Sequence, residues 1–205
     1  MAPAAYPPYN SRRIMTHDRL PAPSVADPWL AHPPRATVHP RLRPWLIDPQ
    51  SLTARIRARC DRFHVEVIRQ APMRPHSDEA AVLGVSARER SWLREVLLYA
   101  DGVPVVYARS VLPRKHLRGA WRMFHGIGAR PLGAALFSDP RIARQPLRCA
   151  RLDRRDARYH RLAAVTHGAM RLPPSLWARR SLFRLRGRSL LVSEFFLPSI
   201  LDLNP

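Results

Sequence analysis

The chain has 205 residues, 46% hydrophobic and 24% charged, the balance of a folded globular domain rather than of a disordered chain. No apolar run approaches the roughly 18 residues that a membrane helix needs, and two cysteines, Cys60 and Cys149, are too few for a disulfide framework or a cysteine-based zinc cluster. The formal charge of +20 would ordinarily point to a polyanion, but every basic residue except Lys115 is an arginine. These arginines are scattered among abundant alanine and proline, the mark of a coding bias, so no specific nucleic-acid partner is expected. With few cysteines and no secretory pattern in the first ten residues, the expected compartment is the cytoplasm.

Half of the 22 prolines fall in the first 50 residues. A segment so dense in proline neither holds a helix nor donates regularly to a sheet. Residues 1–36 are therefore expected to form a largely extended or disordered leader, and 37–205 the folded domain. Asp48-Pro49-Gln50-Ser51 is a helix-start signal, and Leu52, Ile56 and Cys60 follow it at helical spacing. Phe63, Val65 and Val67 alternate as a first strand. Trp92 to Tyr99 and Val103 to Leu112 then flank Asp101-Gly102, a strong hairpin signature because both central turn positions need positive φ. The pattern of Leu117, Ala120, Trp121 and Phe124 predicts a helix over Lys115 to Ile127. Pro131-Leu132-Gly133 opens a short helix through Phe137. Residues 138–176 are polar and predict one or two short strands. Trp177 to Leu185 and Leu190 to Leu197, around Arg186-Gly187-Arg188-Ser189, make a second hairpin. Two hairpins and a further strand, with helices between, give an antiparallel α+β fold.

Strand periodicity assigns charges to faces. In the last strand Leu190, Val192, Glu194 and Phe196 share one face and Leu191, Ser193, Phe195 and Leu197 the other, so the strand reads as central and Glu194 as a buried acid. Arg94 shares a face with Trp92, Val96 and Leu98, and Arg109 with Val105, Tyr107 and Val111. Isolated buried charges cost several kcal/mol each. Two readings follow: these three residues line an anion-binding cavity, or they form structural ion pairs, Arg94 with Glu194 or Arg109 with Glu95. His64, His116, His125, His160 and His167 show no metal-ligand spacing, and no metal site is expected. There is no Gly-x-Ser-x-Gly around a serine and no phosphate-binding glycine loop.

Trp92-Leu93-Arg94-Glu95-Val96-Leu97-Leu98, Ala100-Asp101-Gly102 and Ala108-Arg109-Ser110-Val111-Leu112-Pro113 resemble the bacterial chorismate lyase family. The resemblance continues through Pro131-Leu132-Gly133, Leu136-Phe137, Arg179-Arg180-Ser181 and Ser193-Glu194-Phe195-Phe196-Leu197-Pro198, covering about residues 40–200 in order. It implies a single domain built on a six-stranded antiparallel sheet, with helical flaps over an internal ligand cavity. It also implies a cofactor-independent carbon–oxygen lyase that takes pyruvate from chorismate to give 4-hydroxybenzoate for ubiquinone synthesis, acting as a monomer.

Position by position, the arginine that holds the ring carboxylate matches Arg94, and the glutamate that meets the 4-hydroxyl matches Glu194. The leucine of the Pro-Leu-Gly turn matches Leu132, and a methionine contact of the family falls on Leu52. Arg109 is added as an expected second cation, because chorismate is a dianion. The stretch from Asp153 to Ser175 reads as an insertion relative to the family. The alternative is a non-catalytic sensing domain like those of GntR-type regulators, which share the fold. Those chains carry a winged helix-turn-helix that the proline-rich residues 1–36 cannot form.

Overall fold

The computed structural model of the chain describes residues 28–166 and 170–203. The helical starts are α1 (Arg43–Ile47) and α2 (Leu52–Arg57), the second capped by Ser51, whose hydroxyl accepts from the Ala54 amide at 3.3 Å. Strand β1 (Phe63–Met73) and helix α3 (Ser77–Leu83) follow, and then β2 (Ser91–Ala100) and β3 (Val103–Pro113) around Asp101 and Gly102, with φ of 50° and 83°. Next come α4 (Arg114–Leu117), α5 (Leu132–Ser138), β4 (Ala143–Arg144), β5 (Arg148–Asp153) and α6 (Ala157–Val165). Strands β6 (Ser175–Leu185) and β7 (Arg188–Phe196) close the order.

The strands form one antiparallel sheet in the order β1-β2-β3-β7-β6-β4, with β5 also paired to β6. That is seven strands where six were expected; the additional one, β4, has two residues and pairs with Arg184 and Phe183. As both apolar faces of the last strand predict, β7 is central, between β3 and β6. Helices cover both faces of the sheet. Trp45, Leu46, Leu52 and Ile56 pack with Val65, Val96 and Leu98 on one face, and on the other Tyr159, Leu162 and Val165 of α6 pack with Leu97, Tyr107 and Phe195.

Three expectations are corrected. The helix foreseen over residues 115–127 is broken into α4 and a 3-10 turn at Arg122–Phe124. Between them Gly119 sits at φ 94°, outside the helical region, although Leu117, Trp121 and Phe124 are buried as the pattern required. The polar stretch 138–176 holds α6 besides its strands. Residues 1–27 of the expected leader lie outside the described residues, while residues 28–36 belong to the packed domain. Trp29 is only 3% exposed, and Leu30 exchanges backbone hydrogen bonds with Cys149 at 2.7 and 2.8 Å.

The register of the first hairpin contains a one-residue irregularity. Ala100 pairs with Val103 and Tyr99 with Pro104, but Leu98 pairs with Val106, so one extra residue enters β3 beside the proline. From there on Arg94 faces Ser110 and Glu95 faces Arg109. A one-residue shift exchanges the faces of every side chain beyond it, and this decides which arginine meets the functional site.

Candidate functional site

Two rows of side chains run across one face of the sheet. Arg94, Ser110, Val192 and Ser181 make the first; Val96, Ala108, Glu194 and Arg179 make the second. Ala108 and Ser110 are small, so the floor between Arg94 and Glu194 is low. With about 4.8 Å per strand spacing and about 3.4 Å rise per residue, their backbones, two strands and two residues apart, stand about 12 Å from each other. The space above this floor is a pocket roofed by Leu52 and Thr53 of α2 and by Pro131, Leu132, Gly133, Leu136 and Phe137 at and within α5. Gly133 makes the roof close: a Cβ there would lie 3.2 Å from Thr53 Oγ1 and 3.3 Å from Ser51 Oγ, tighter than ordinary contact.

Arg94 is 2% exposed and no carboxylate pairs with it among the described residues. Its Nη2 donates to the Gly128 and Arg130 carbonyls at 2.9 and 3.1 Å, which tie the strand to the loop before α5. Its Nε is buried with no hydrogen-bond partner among the described residues. Burial without a countercharge pulls this guanidinium down to about 10. A cation held this way is set to receive an anion.

Glu194 is half-buried, its side chain 17% exposed, rather than fully buried as its strand pattern implied. It accepts from Arg179 Nε at 2.5 Å across the β6–β7 pair. Arg179 is 1% exposed and donates from Nη1 to the Trp45 and Asp48 carbonyls at 2.7 and 2.9 Å, joining the sheet to the end of α1. Its Nη2 is a second buried donor with no partner among the described residues. Arg144 of β4 stands over the Phe137 and Phe183 rings and donates to Ser181 Oγ and to the Pro49 carbonyl. Burial outweighs the attraction of Glu194 and pulls Arg144 to about 10.

Of the residues foreseen from sequence, Leu52, Arg94, Leu132 and Glu194 meet around this pocket. Arg109 does not. The β3 irregularity turns it to the opposite face, where it lies 4% exposed and donates to Glu79 and Glu95 at 2.7 Å each. Arg161 reaches the second Glu95 oxygen at 2.8 Å. Beside them Asp78 accepts from Trp29, Arg158 and Arg180, and Arg158 also holds Asp156. The structural ion-pair reading therefore holds for Arg109 with Glu95, and Arg94 makes no pair with Glu194. Of the five histidines considered, His167 lies outside the described residues.

Arg179 and Arg144 were not foreseen as site residues. The signal for Arg179 was in the second turn: with Arg186 and Gly187 both at positive φ, 50° and 71°, a two-residue turn sets Leu185 against Arg188 and Arg179 against Glu194. A four-residue loop over residues 186–189 would instead set Leu185 against Leu190 and Arg179 against Phe196.

A family model described as chorismate lyase matches residues 27–204. The chain is 66% identical over 178 residues to a probable chorismate pyruvate-lyase of Aromatoleum aromaticum, a match covering 87% of this chain and 96% of that one. It is 63% identical over 182 residues to the protein of the same name from Azoarcus sp., covering 88% and 96%. Among solved structures, the PhnF C-terminal domain aligns with a TM-score of 0.50 at 14% identity, over 66% of this chain and 83% of that one, a likeness of fold alone.

Proposed function

The chain belongs to the chorismate lyase family, and we propose that its pocket is where chorismate loses its enolpyruvyl group as pyruvate and becomes 4-hydroxybenzoate, the step that opens ubiquinone synthesis. The observation that carries this assignment of the site is Arg94, a buried cation that no acid pairs with among the described residues, facing Glu194 across a floor of small residues.

In the reaction the ring C3–O bond and the C4–H bond break, and the C4–H electron pair enters the ring as it becomes aromatic. The departing enolate takes up a proton and becomes pyruvate. No net oxidation occurs, so the protein's contribution is positioning and charge stabilisation. Arg94 binds the ring carboxylate, with its carbonyl contacts to Gly128 and Arg130 fixing the direction of the fork. Glu194, aligned by Arg179, accepts the hydrogen bond of the 4-hydroxyl and thereby fixes C4. Leu52 and Leu132 lie against the ring from above, and α2 and α5 act as flaps that exclude water from a closed internal cavity.

The test is a stopped assay of purified protein with chorismate, following pyruvate and 4-hydroxybenzoate by chromatography. Equimolar appearance of both is expected. Thermal stabilisation by 4-hydroxybenzoate without product would mean that the pocket binds but does not react.

A further inference from the structure

Chorismate carries two carboxylates, and Arg94 accounts for one. Among the described residues the charged groups that line the pocket are Arg94, Arg144, Arg179 and Glu194. Glu194 is already engaged by Arg179 Nε, so a ring carboxylate on Arg94 still leaves the far side of the pocket with an excess of positive charge. Two buried donors of these arginines lack a partner among the described residues, Arg94 Nε and Arg179 Nη2. The other two arms of Arg179 are fixed, one by Glu194 and one by the Trp45 and Asp48 carbonyls, so its free arm has a set direction. An unmade buried hydrogen bond to a charged donor is costly, and an incoming anion that completes it recovers that loss.

Resting on the chorismate reading of this pocket, we infer that Arg179 binds the carboxylate of the departing enolpyruvyl group through Nη2 while its Nε holds Glu194. One guanidinium thus couples the two ends of the reacting bond system: it orients the carboxylate that meets the 4-hydroxyl, and it neutralises charge as the C3–O bond breaks. Arg144 differs in kind. It is half-buried over Phe137 and Phe183, and its Nε and Nη1 are taken by Ser181 and by the Pro49 and Gln50 carbonyls. It supplies field rather than the direct contact.

The experiment compares two ligands by titration calorimetry: 4-hydroxybenzoate, with one carboxylate, and 3-(carboxymethoxy)-4-hydroxybenzoate, an unreactive aromatic diacid with the second carboxylate in the enolpyruvyl position. Both carry the 4-hydroxyl, so disturbance of Glu194 affects both, and their affinity ratio isolates the second carboxylate. Arg179→Lys keeps a charge beside Glu194 but cannot reproduce two fixed arms and a third set in direction by them. The expected result is a fall of about 10–100-fold in diacid affinity relative to 4-hydroxybenzoate, the range of a charge-assisted hydrogen bond. An unchanged ratio overturns the inference, as does a ratio that responds to Arg144→Gln and not to Arg179→Lys. If Arg179→Lys fails to fold, the double variant Arg179→Gln, Glu194→Gln is compared with Glu194→Gln alone, because it removes both charges together; the same ratio decides. Wild-type protein that binds neither ligand refutes the chorismate reading of the pocket itself, an outcome distinct from an unchanged ratio.

Discussion

Glu95 and Arg109 face each other across β2 and β3, joined at 2.7 Å on the side of the sheet turned away from the pocket. Their neighbours Arg94 and Ser110, one position along each strand, line the pocket. The same pair of strands thus carries a paired, satisfied set of charges on one face and, on the other, an arginine that no acid pairs with among the described residues. Buried pairs mostly lend specificity, and breaking one leaves a buried charge without compensation.

Arg109→Leu is therefore expected to act on stability. It takes from Glu79 its arginine and leaves Glu95 with Arg161 alone, both carboxylates being nearly inaccessible, and should lower the unfolding free energy by about 3–5 kcal/mol in urea melts. Affinity of the folded fraction for 4-hydroxybenzoate should change less than about threefold, since at RT of about 0.59 kcal/mol such a factor is below one kcal/mol. A large loss of affinity with unchanged stability would place Arg109 in the binding site after all.

Arg94→Ala should behave in the opposite way. Calorimetry is expected to show 4-hydroxybenzoate affinity falling at least about 10–100-fold, the worth of a charge-assisted contact in a buried site. The melting temperature of the free protein should move little, because removing an uncompensated buried cation offsets the loss of its two carbonyl contacts. Unchanged affinity would refute the clamp.

Glu194→Gln keeps the shape of the side chain and replaces an ionised acceptor with a neutral one beside Arg179. Affinity for 4-hydroxybenzoate and kcat/KM for chorismate are expected to fall together, by about tenfold. A loss of kcat at saturation that far exceeds the loss of affinity would show that Glu194 also takes the C4 proton.

Acid should unfold the protein through the ion network beneath α3 and α6. Burial alone would raise Asp78, Glu95 and Asp156, but their arginines overcome it: Arg158 with Trp29 and Arg180 for Asp78, Arg161 and Arg109 for Glu95, and Arg158 for Asp156. All three carboxyls sit below their ordinary values. A lowered carboxyl contributes stability that is complete above its unfolded pKa, near 4, and is lost as pH falls through the folded value. Urea midpoints should thus hold steady down to about pH 5 and drop steeply below about pH 4. Glu95→Gln should flatten that drop while lowering the plateau; an unaltered slope would remove Glu95 from the account.

Gly133→Ala tests the roof. The added methyl meets Thr53 Oγ1 and Ser51 Oγ, so α5 must move off α2 by a few tenths of an ångström. Overpacking of this kind costs about 1–3 kcal/mol, and a lowered melting temperature with weaker 4-hydroxybenzoate binding is expected.

Both hairpins, the central place of the last strand and the short helix opening at Pro131-Leu132-Gly133 were legible because local turn chemistry and alternation act over a few residues, while the place of that helix over the pocket came from the family resemblance. The bulge was not. Counting back from Asp101-Gly102 without it sets Arg94 opposite Arg109, both toward the ligand, and nothing in the residues Val103-Pro104-Val105 marks the extra one plainly. Arg179 was hidden for a related reason: its meaning comes from a partner fifteen positions away and from a turn shorter than its polar residues imply. Helix α3 lacked a long apolar stripe; its Asp78 and Glu79 serve buried arginines of other elements, so periodicity had little to report. Tertiary context overrides local pattern at these positions.

Turns at the tips of hairpins are ordinarily where a chain absorbs insertions and deletions most easily. The stretch from Tyr99 to Val106 is an exception with a definite reason. Pairing the two strands in step from the turn, with no extra residue in β3, would give a hairpin equally apolar and equally long, in which Arg109 faces the roof and Ser110 faces Glu79. Such a slip would take Arg109 away from Glu79 and Glu95 while crowding the pocket with a further cation. Grafts or tags placed at this hairpin must therefore keep Leu98 opposite Val106, the pairing from which Arg94 faces Ser110 and Glu95 faces Arg109.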